Sequence, residues 1–482
     1  MRSTSGVSDN PFPDADPIAG LFDEGSFVEV DASRTGGAAA GPARRAGTTG
    51  WGTVNGRTVF AFVYDLNPGT VISEKVCKVI DLALRSGSPV VGIYRTAAVG
   101  IEGGLDSLAA LGSVFDRMVA ASGVLPQLAL VLGPCAGAAT FGPSLADFVF
   151  MTHERSAMFM TSPKTIEEVT AEQVTLEDLA GASAHARRSG VAHVLAADEQ
   201  DCVALARYML SFLPSNNMAL APYYSPSDDP KRSCDALLDL LPDSPNTPYD
   251  MRRVVCELAD DGELFELHEH WAKSILVGFV RLDGHTVGIV ASQPQELAGT
   301  LDIDSSIKGA RFVRFCDAFN IPLISLVDVP GFLPGISQEF GGIIRYGAQL
   351  LYAFTKATVP RITVITRKAY GGAYLVMNSQ HIRSDLCLAW PTVEIAVMGA
   401  QGAARVIHRR EIASAADPAA KEAELVARYA ERFSNPYIAA ERGYIDEVID
   451  PRDTRRRLIE GLALLRSKRE TLPQRKHGNI PL

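Results

Sequence analysis

The 482-residue chain has little of what several protein classes depend on. Aromatic residues make up only 7%, too few for the stacking platforms that hold single-stranded nucleic acid. Acidic residues outnumber basic ones, 56 to 46, and a net charge of −10 argues against nucleic acid or an anionic membrane as partner. No apolar run reaches the ~20 residues of a membrane helix. Met1 to Asp16 is rich in Ser, Asp and Pro and lacks the apolar core of a signal peptide, so a cytoplasmic location is expected. The seven cysteines include no CxxC pair, which removes zinc ribbons and redox dithiols and leaves buried free thiols as the expectation. The nine histidines include no HExxH, and His268 and His270 would point apart on a helix, so no metal site is expected. GxSxG elbows, Walker loops and GxGxxG turns are missing too, and with them hydrolase, P-loop and dinucleotide-binding readings.

What the sequence does have is a repeat. GRTVFAF from Gly56 answers GHTVGIV from Gly284, and KVCKVIDLALRSGSPVVGIY from Lys75 answers KGARFVRFCDAFNIPLISLV from Lys308. LPQLALVL from Leu125 answers VPRITVIT from Val359, and Ala136-Gly137-Ala138-Ala139 answers Tyr370-Gly371-Gly372-Ala373. The paired segments lie 228, then 233, then 234 residues apart, so the first copy lacks five residues between Gly56 and Lys75. A tandem duplication follows, with residues 1–20 as a disordered leader and halves at 21–230 and 231–482. The Gly/Ala-rich run Thr35 to Gly50 reads as a flexible loop, and Lys421 to Arg432 as a solvated helix.

Each copy has one local grammar. Val76, Val79, Ile80, Ala83 and Leu84 fall at helical spacing, Gly87 ends the helix, and Pro89 opens the β-branched strand Val90 to Ile93. Phe312, Val313, Phe315, Cys316 and Phe319 repeat the helix, and Pro322 opens the strand Leu323 to Val327. The expected fold is α/β, each half with its own sheet. Ligands in such folds gather where strands end and helices begin. A further strand over Ile362–Thr366 leads into Arg367 to Tyr374, where Gly371-Gly372 allows close backbone approach and free N–H groups. Two such turns at matched places suggest a pair of oxyanion holes.

The residues also resemble a family. VDVPGFLPG with QEFGGIIRYGA (327–348), TVPRITVITRKAYGGAYLVM (358–377), AWPTVEIAVMGAQGA (389–403), AERGYIDEVIDP (440–451) and the terminal KHGNIPL are similar to carboxyltransferase β-subunits of biotin-dependent acyl-CoA carboxylases, of the actinobacterial acetyl-/propionyl-CoA type. LFDEGSFVEVD (21–31), SGVLPQLALVLGPCAGAATFGPSLADFVFM (122–151) and DSPNTPYDMR (243–252) carry the resemblance through the first half. It implies two tandem crotonase-like domains of the ClpP/crotonase type, built as a β-β-α superhelix. The N-half would take the acyl-CoA side and the C-half the biotin side, with a carboxyl group moving from carboxybiotin to the α-carbon of a thioester and giving a malonyl-CoA-type product. Biotin would arrive on a separate carrier, and a biotin carboxylase/biotin carrier α-subunit, dimers and a hexamer would follow as partners. By position, Gly372 and Ala373 would face the biotin ureido oxygen, and Ala138 and Ala139 the thioester oxygen. Gly331, Phe332, Gly371 and Tyr374 would hold biotin, and Ala97, Ala98, Val99, Gly137 and Leu375 the acyl substrate. Freed biotin would accept the α-proton, so no side-chain base is implied.

The departures lie in the N-half. A DSGGARIQEG-like stretch reads Arg95-Thr-Ala-Ala-Val-Gly-Ile-Glu-Gly-Gly104, the AGGA turn reads Ala136 to Ala139, and a Gly-rich loop is shortened to Asp65–Glu74. A Cβ in the turn could block or reshape the thioester site. Three readings stay open: a carboxyltransferase with an altered donor, on CoA or a carrier protein; a weak paralogue partnering an active β-subunit; and a biotin-dependent decarboxylase. Arg44, Arg45 and Arg95 are the candidates for CoA phosphates.

Overall fold

A computed structural model describes residues 17–33, 47–64, 70–95, 104–153, 155–242, 244, 246–433 and 435–481. Two compact units emerge, one of Met1–His185 with Val194–Ser211, the other of Ala186–His193 with Phe212–Leu482. The first contains β1 (Val28–Glu29), β2 (Thr49–Val54), β3 (Arg57–Tyr64), β4 (Val90–Tyr94), β5 (Gln127–Val131), β6 (Pro134–Ala136), β7 (Phe148–Thr152), β8 (Ala157–Phe159) and β9 (Val194–Ala196). The second contains β10 (Phe265–Leu267), β11 (Ile275–Leu282), β12 (His285–Ser292), β13 (Leu323–Val329), β14 (Arg361–Tyr370), β15 (Leu386–Ala389), β16 (Glu394–Ala396) and β17 (Glu447–Val448).

The sheet orders are β1-β2-β3-β4-β5-β7-β9 and β10-β11-β12-β13-β14-β15-β17. In each, the first three strands are antiparallel and the rest run parallel from β3 or β12 onward. The inner strands are buried along their whole length, as parallel strands covered on both faces must be. In the first unit the Thr70–Ser86 helix packs on the Gly104–Ala121 helix; in the second, Ile303–Ala318 packs on Ile343–Lys356. A short parallel ladder repeats as well: Ala136 pairs Phe159, and Tyr370 pairs Ala396.

The matched lysines at the heads of the repeats are structural. Lys75 and Lys308 are both buried. Lys75 Nζ donates to the Gly47 carbonyl at 3.2 Å; Lys308 Nζ donates to His268 and Trp271 carbonyls at 3.0 Å each. Each lysine nitrogen thus ties its helix to the chain just before the second strand of its sheet, β2 or β11.

Several expectations change. The leader expected over 1–20 ends sooner, because Pro17–Leu21 is helical and Ile18 and Leu21 are buried; residues 1–16 lie outside the described ones. Thr49 and Gly50 belong to β2 rather than to a loop, where a Cβ on Gly50 would come within 2.4 Å of the Val28 carbonyl. β14 runs to Tyr370, four residues beyond the expected strand, because β16 pairs its end. His268 and His270 sit in a turn after β10, not on a helix, with φ +53° at His268. All seven cysteines are unpaired and six are buried. No helix among the described residues is long and apolar enough to cross a membrane.

The His268 ring centre lies 4.2 Å from that of His193, the planes tilted by 35°, and its Nε2 is 2.9 Å from the Gly190 carbonyl. Burial lowers the His268 pKa to about 3 and holds His193 well below its usual range. Below about pH 6.5 the unfolded chain gains protons the fold excludes, so stability is lost as pH falls, by about 1.4 kcal/mol per pH unit for each such histidine. The melting temperature should therefore drop from pH 7 to pH 5. A His268→Gln variant, which keeps an N–H for Gly190, should show a shallower slope; an unchanged slope would remove His268 from the acid response.

Candidate active site

The two turns have one backbone. Ala136 ends β6 at φ −125°, Gly137 follows at φ +59°, and a helical turn begins there. Tyr370 ends β14 at φ −111°, Gly371 follows at φ +58°, and the Gly371–Val376 helix begins there. Left-handed φ makes glycine the natural residue at both first positions. The next amides, of Ala138–Ala139 and Gly372–Ala373, fall in a first helical turn, where N–H groups have no intrahelical acceptor. Such groups stabilise an oxyanion.

A Cβ on Gly372 would meet nothing closer than the Phe332 ring at 4.0 Å. The matching Ala138 therefore leaves the turn's shape intact: it is half-exposed, while the Ala139 methyl is buried. The two glycines before them differ more. A Cβ on Gly371 would lie 2.8 Å from the Val397 carbonyl, whereas one on Gly137 meets nothing within 4 Å. Gly137→Ala should cost about 1 kcal/mol, the left-handed penalty alone, and Gly371→Ala clearly more, as read by denaturant melts. Equal costs would mean the Val397 contact relaxes freely.

In the C-half, Gly371, Gly372, Tyr374 and Leu375 line a cavity of about 420 Å³. Its other wall comes from Tyr429 and Phe433 of the Pro418–Phe433 helix, together with Ile438, Arg442 and Tyr444. The helix expected over 421–432 is present and buries only Leu425, yet it is not purely solvated, because its aromatic edge lines the cavity. Tyr429 and Phe433 stand four residues apart with rings at 5.0 Å, a spacing that signals one helix face. Leu375 remains 41% exposed, and Ala373 and Tyr374 are buried.

Phe332 reaches the same turn. The Gly331 carbonyl accepts from the Leu301 N–H, and the Leu333 N–H donates to the Leu301 carbonyl, which pins the loop after β13. The Phe332 ring then packs so closely on Gly347 that a Cβ there would lie 2.9 Å away. Gly331, Phe332, Gly371, Gly372, Ala373, Tyr374 and Leu375 therefore form one locality, and Gly137, Ala138 and Ala139 another. Ala97, Ala98, Val99, Arg44 and Arg45 lie outside the described residues. Arg95 is largely buried and pairs with Glu199 at 3.2 Å, so its charge is already matched. Cys135, beside the N-half turn, has its pKa pushed up to about 12 by burial and stays a thiol.

A duplicated α/β unit whose two copies each end a strand in a left-handed glycine turn is the architecture of a tandem crotonase-like carboxyltransferase. The family model described as the carboxyl transferase domain matches residues 15–480, and the chain belongs to that family. It is 51% identical to a propionyl-CoA carboxylase beta chain of Roseobacter denitrificans, over 96% of this chain and 92% of that one. It is 49% identical to a methylmalonyl-CoA decarboxylase subunit alpha of Veillonella parvula, with the same two coverages. Among solved structures, hexameric transcarboxylase 12S with methylmalonyl-coenzyme A bound superposes with a TM-score of 0.93 at 45% identity, over 97% of this chain and 91% of that one.

Proposed function

We propose that the chain moves a carboxyl group from carboxybiotin, presented by a separate carrier protein, to the α-carbon of an acyl-CoA. The observation that carries this reading is the matched pair of turns, one per half, in a chain belonging to the carboxyl transferase family. Bound carboxybiotin supplies the activated carboxyl group, whose C–N bond breaks as the C–C bond to the thioester forms, and its freed nitrogen takes the α-proton. The chain's part is to hold two developing anions. Gly372 and Ala373 N–H groups face the ureido oxygen, and Ala138 and Ala139 N–H groups face the thioester oxygen. Gly371, Phe332 and Tyr374 shape the biotin side, with Gly331 fixing the Phe332 loop. Gly137 shapes the acyl side, and Leu375 offers an apolar wall to the acyl chain; Ala97, Ala98 and Val99 complete that side. The functional halves are the expected 21–230 and 231–482, although the compact units divide earlier, between Ser211 and Phe212.

Near the biotin turn, Ile336, Phe340, Ile344 and Val397 are each at least 74% exposed. Apolar surface on that scale supports burial against a second copy, in a dimer and then a hexamer, with a biotin carboxylase/biotin carrier α-subunit as the further partner.

The test combines the purified chain, a carboxylated biotin-carrier protein and a panel of acyl-CoAs. Labelled carboxyl appearing on an acyl-CoA supports the reading. No transfer to any acyl donor, with a normal assembly, leaves the role of structural partner to an active paralogue. The decarboxylase-named relative at near-equal identity keeps the reverse direction in view. Carboxyl flow from methylmalonyl-CoA to the biotin carrier, faster than the forward rate, selects it.

A further inference from the structure

Two buried phenols stand beside the N-half turn with no hydrogen-bond partner among the described residues. Tyr64 ends β3 and Tyr94 ends β4, and these parallel strands pair in register at those two residues. The rings stack at 5.6 Å and 30°, both side chains are buried, and neither hydroxyl has a hydrogen-bond partner among the described residues. The Ser73 hydroxyl lies near Tyr64 outside hydrogen-bond geometry and is itself unpartnered. Burial raises both phenol pKa values, so both remain neutral donors.

The two tyrosines face a slot whose other walls are Leu111, Val114 and Phe115, from the Gly104–Ala121 helix, and Ala139 and Gly142, from the turn. About 10 Å³ of it remains open, room for one water and no acyl carbon chain. Tyr94 Oη presses so near the turn that a Cβ on Gly142 would lie 3.0 Å from it. The repeat supplies an internal reference. At the positions matching Tyr64 and Tyr94, the C-half carries Ser292 and Val327, both fully buried, and Ser292 Oγ accepts the Asp328 N–H. The N-half slot is therefore filled by side chains and not by the backbone plan. Leaving a buried hydroxyl unbonded is unfavourable, so a structural core would favour Phe at both places. Two phenols lining one apolar slot beside an oxyanion turn, with the Tyr94 hydroxyl against Gly142, suit a small group that arrives with an acceptor.

We propose that Tyr64 and Tyr94 form the end wall of the acyl slot and restrict the chain to two- and three-carbon acyl thioesters. This rests on the reading that Ala138 and Ala139 receive the thioester oxygen. On this view the phenols exclude longer chains by volume, while the Tyr94 O–H donates to the slot's single water and, once that water is displaced, to the thioester.

The experiment measures kcat/KM for acetyl-, propionyl-, butyryl- and hexanoyl-CoA in the assembled enzyme, for wild type, Tyr64→Ser/Tyr94→Val and Tyr94→Phe. Wild type should favour the two short donors. The double variant, carrying the C-half's own residues, should raise the hexanoyl-to-acetyl ratio at least tenfold. Tyr94→Phe, which keeps the volume, should leave that ratio within threefold. A wild type that uses hexanoyl-CoA as well as acetyl-CoA overturns the proposal, as does a folded double variant with an unchanged ratio. Should the double variant fail to fold, Tyr94→Val alone carries the test, with a threefold rise as its threshold. If wild type carboxylates no thioester at all, the acyl-donor reading fails first. The proposal falls with it unless the double variant gains an activity.

Discussion

Gly372→Pro should lower carboxyl transfer from a carboxylated carrier about 100- to 1000-fold, the loss that follows removal of one donor from an oxyanion hole. The N–H it deletes serves no intrahelical bond, and proline is tolerated in a helix's first turn, so the loss is local. Proline also restricts the residue before it, but Gly371 has the widest conformational choice of any residue there. Gly372→Ala is the control, because it adds a Cβ and keeps the N–H. Open space around position 372 and the native Ala138 at the matching place predict activity within a few-fold of wild type. Steady-state kinetics and thermal melts on both variants read the difference. Equal losses would make crowding the cause, and an active proline variant with a normal melt would take this amide out of the mechanism.

The architecture was largely legible because duplication writes it twice. A helix pattern at Val76 to Leu84 is weak alone; matched by Phe312 to Phe319 at a constant offset, it fixes both helices and the parallel strands after them. The turns were legible for the same reason, since AGAA and YGGA align only if their surroundings do. Pairing that closes late in the chain was harder to read. The end of β14 is extended by β16, more than twenty residues on, and nothing near Lys368 announces that partner. The cavity wall at Tyr429 and Phe433 was hidden because the helix bearing it is otherwise polar and solvated. Tyr64 and Tyr94 look like ordinary strand-end aromatics in sequence. Only the packed structure reveals that both residues line one slot and that their hydroxyls have no partner among the described residues.

The largest stability effect should come from Arg367→Met. Asp328 near the end of β13 and Arg367 in β14 form a buried pair at 2.8 Å, with side chains 1% and 9% exposed. The Lys368 N–H donates to the other carboxylate oxygen at 3.1 Å, and the Arg367 guanidinium donates to the Thr247 carbonyl at 2.7 Å. That guanidinium also lies 4.8 Å from the Tyr249 ring centre, while the Tyr249 hydroxyl meets Thr366 at 3.1 Å. The pair clamps the strand ends that carry Phe332 on one side and Gly371-Gly372 on the other. Burial raises the Asp328 pKa, and Arg367 with the Lys368 amide pulls it back. Without Arg367 the carboxylate is buried unpaired, a loss of about 3–5 kcal/mol. The variant also carries a pH signature. An Asp with a raised folded-state pKa destabilises the fold once pH rises through that value, so Arg367→Met should regain stability from pH 7 to pH 5 relative to wild type. Adding Asp328→Asn should restore much of the loss at pH 7, because no unpaired charge remains; the double-mutant cycle gives the coupling directly. A single variant costing under about 1 kcal/mol would show that water reaches the carboxylate and that other contacts hold the two strand ends. Transfer activity supplies the functional half of the test: with Phe332 and Gly372 no longer anchored, it should fall even at temperatures where the variant remains folded.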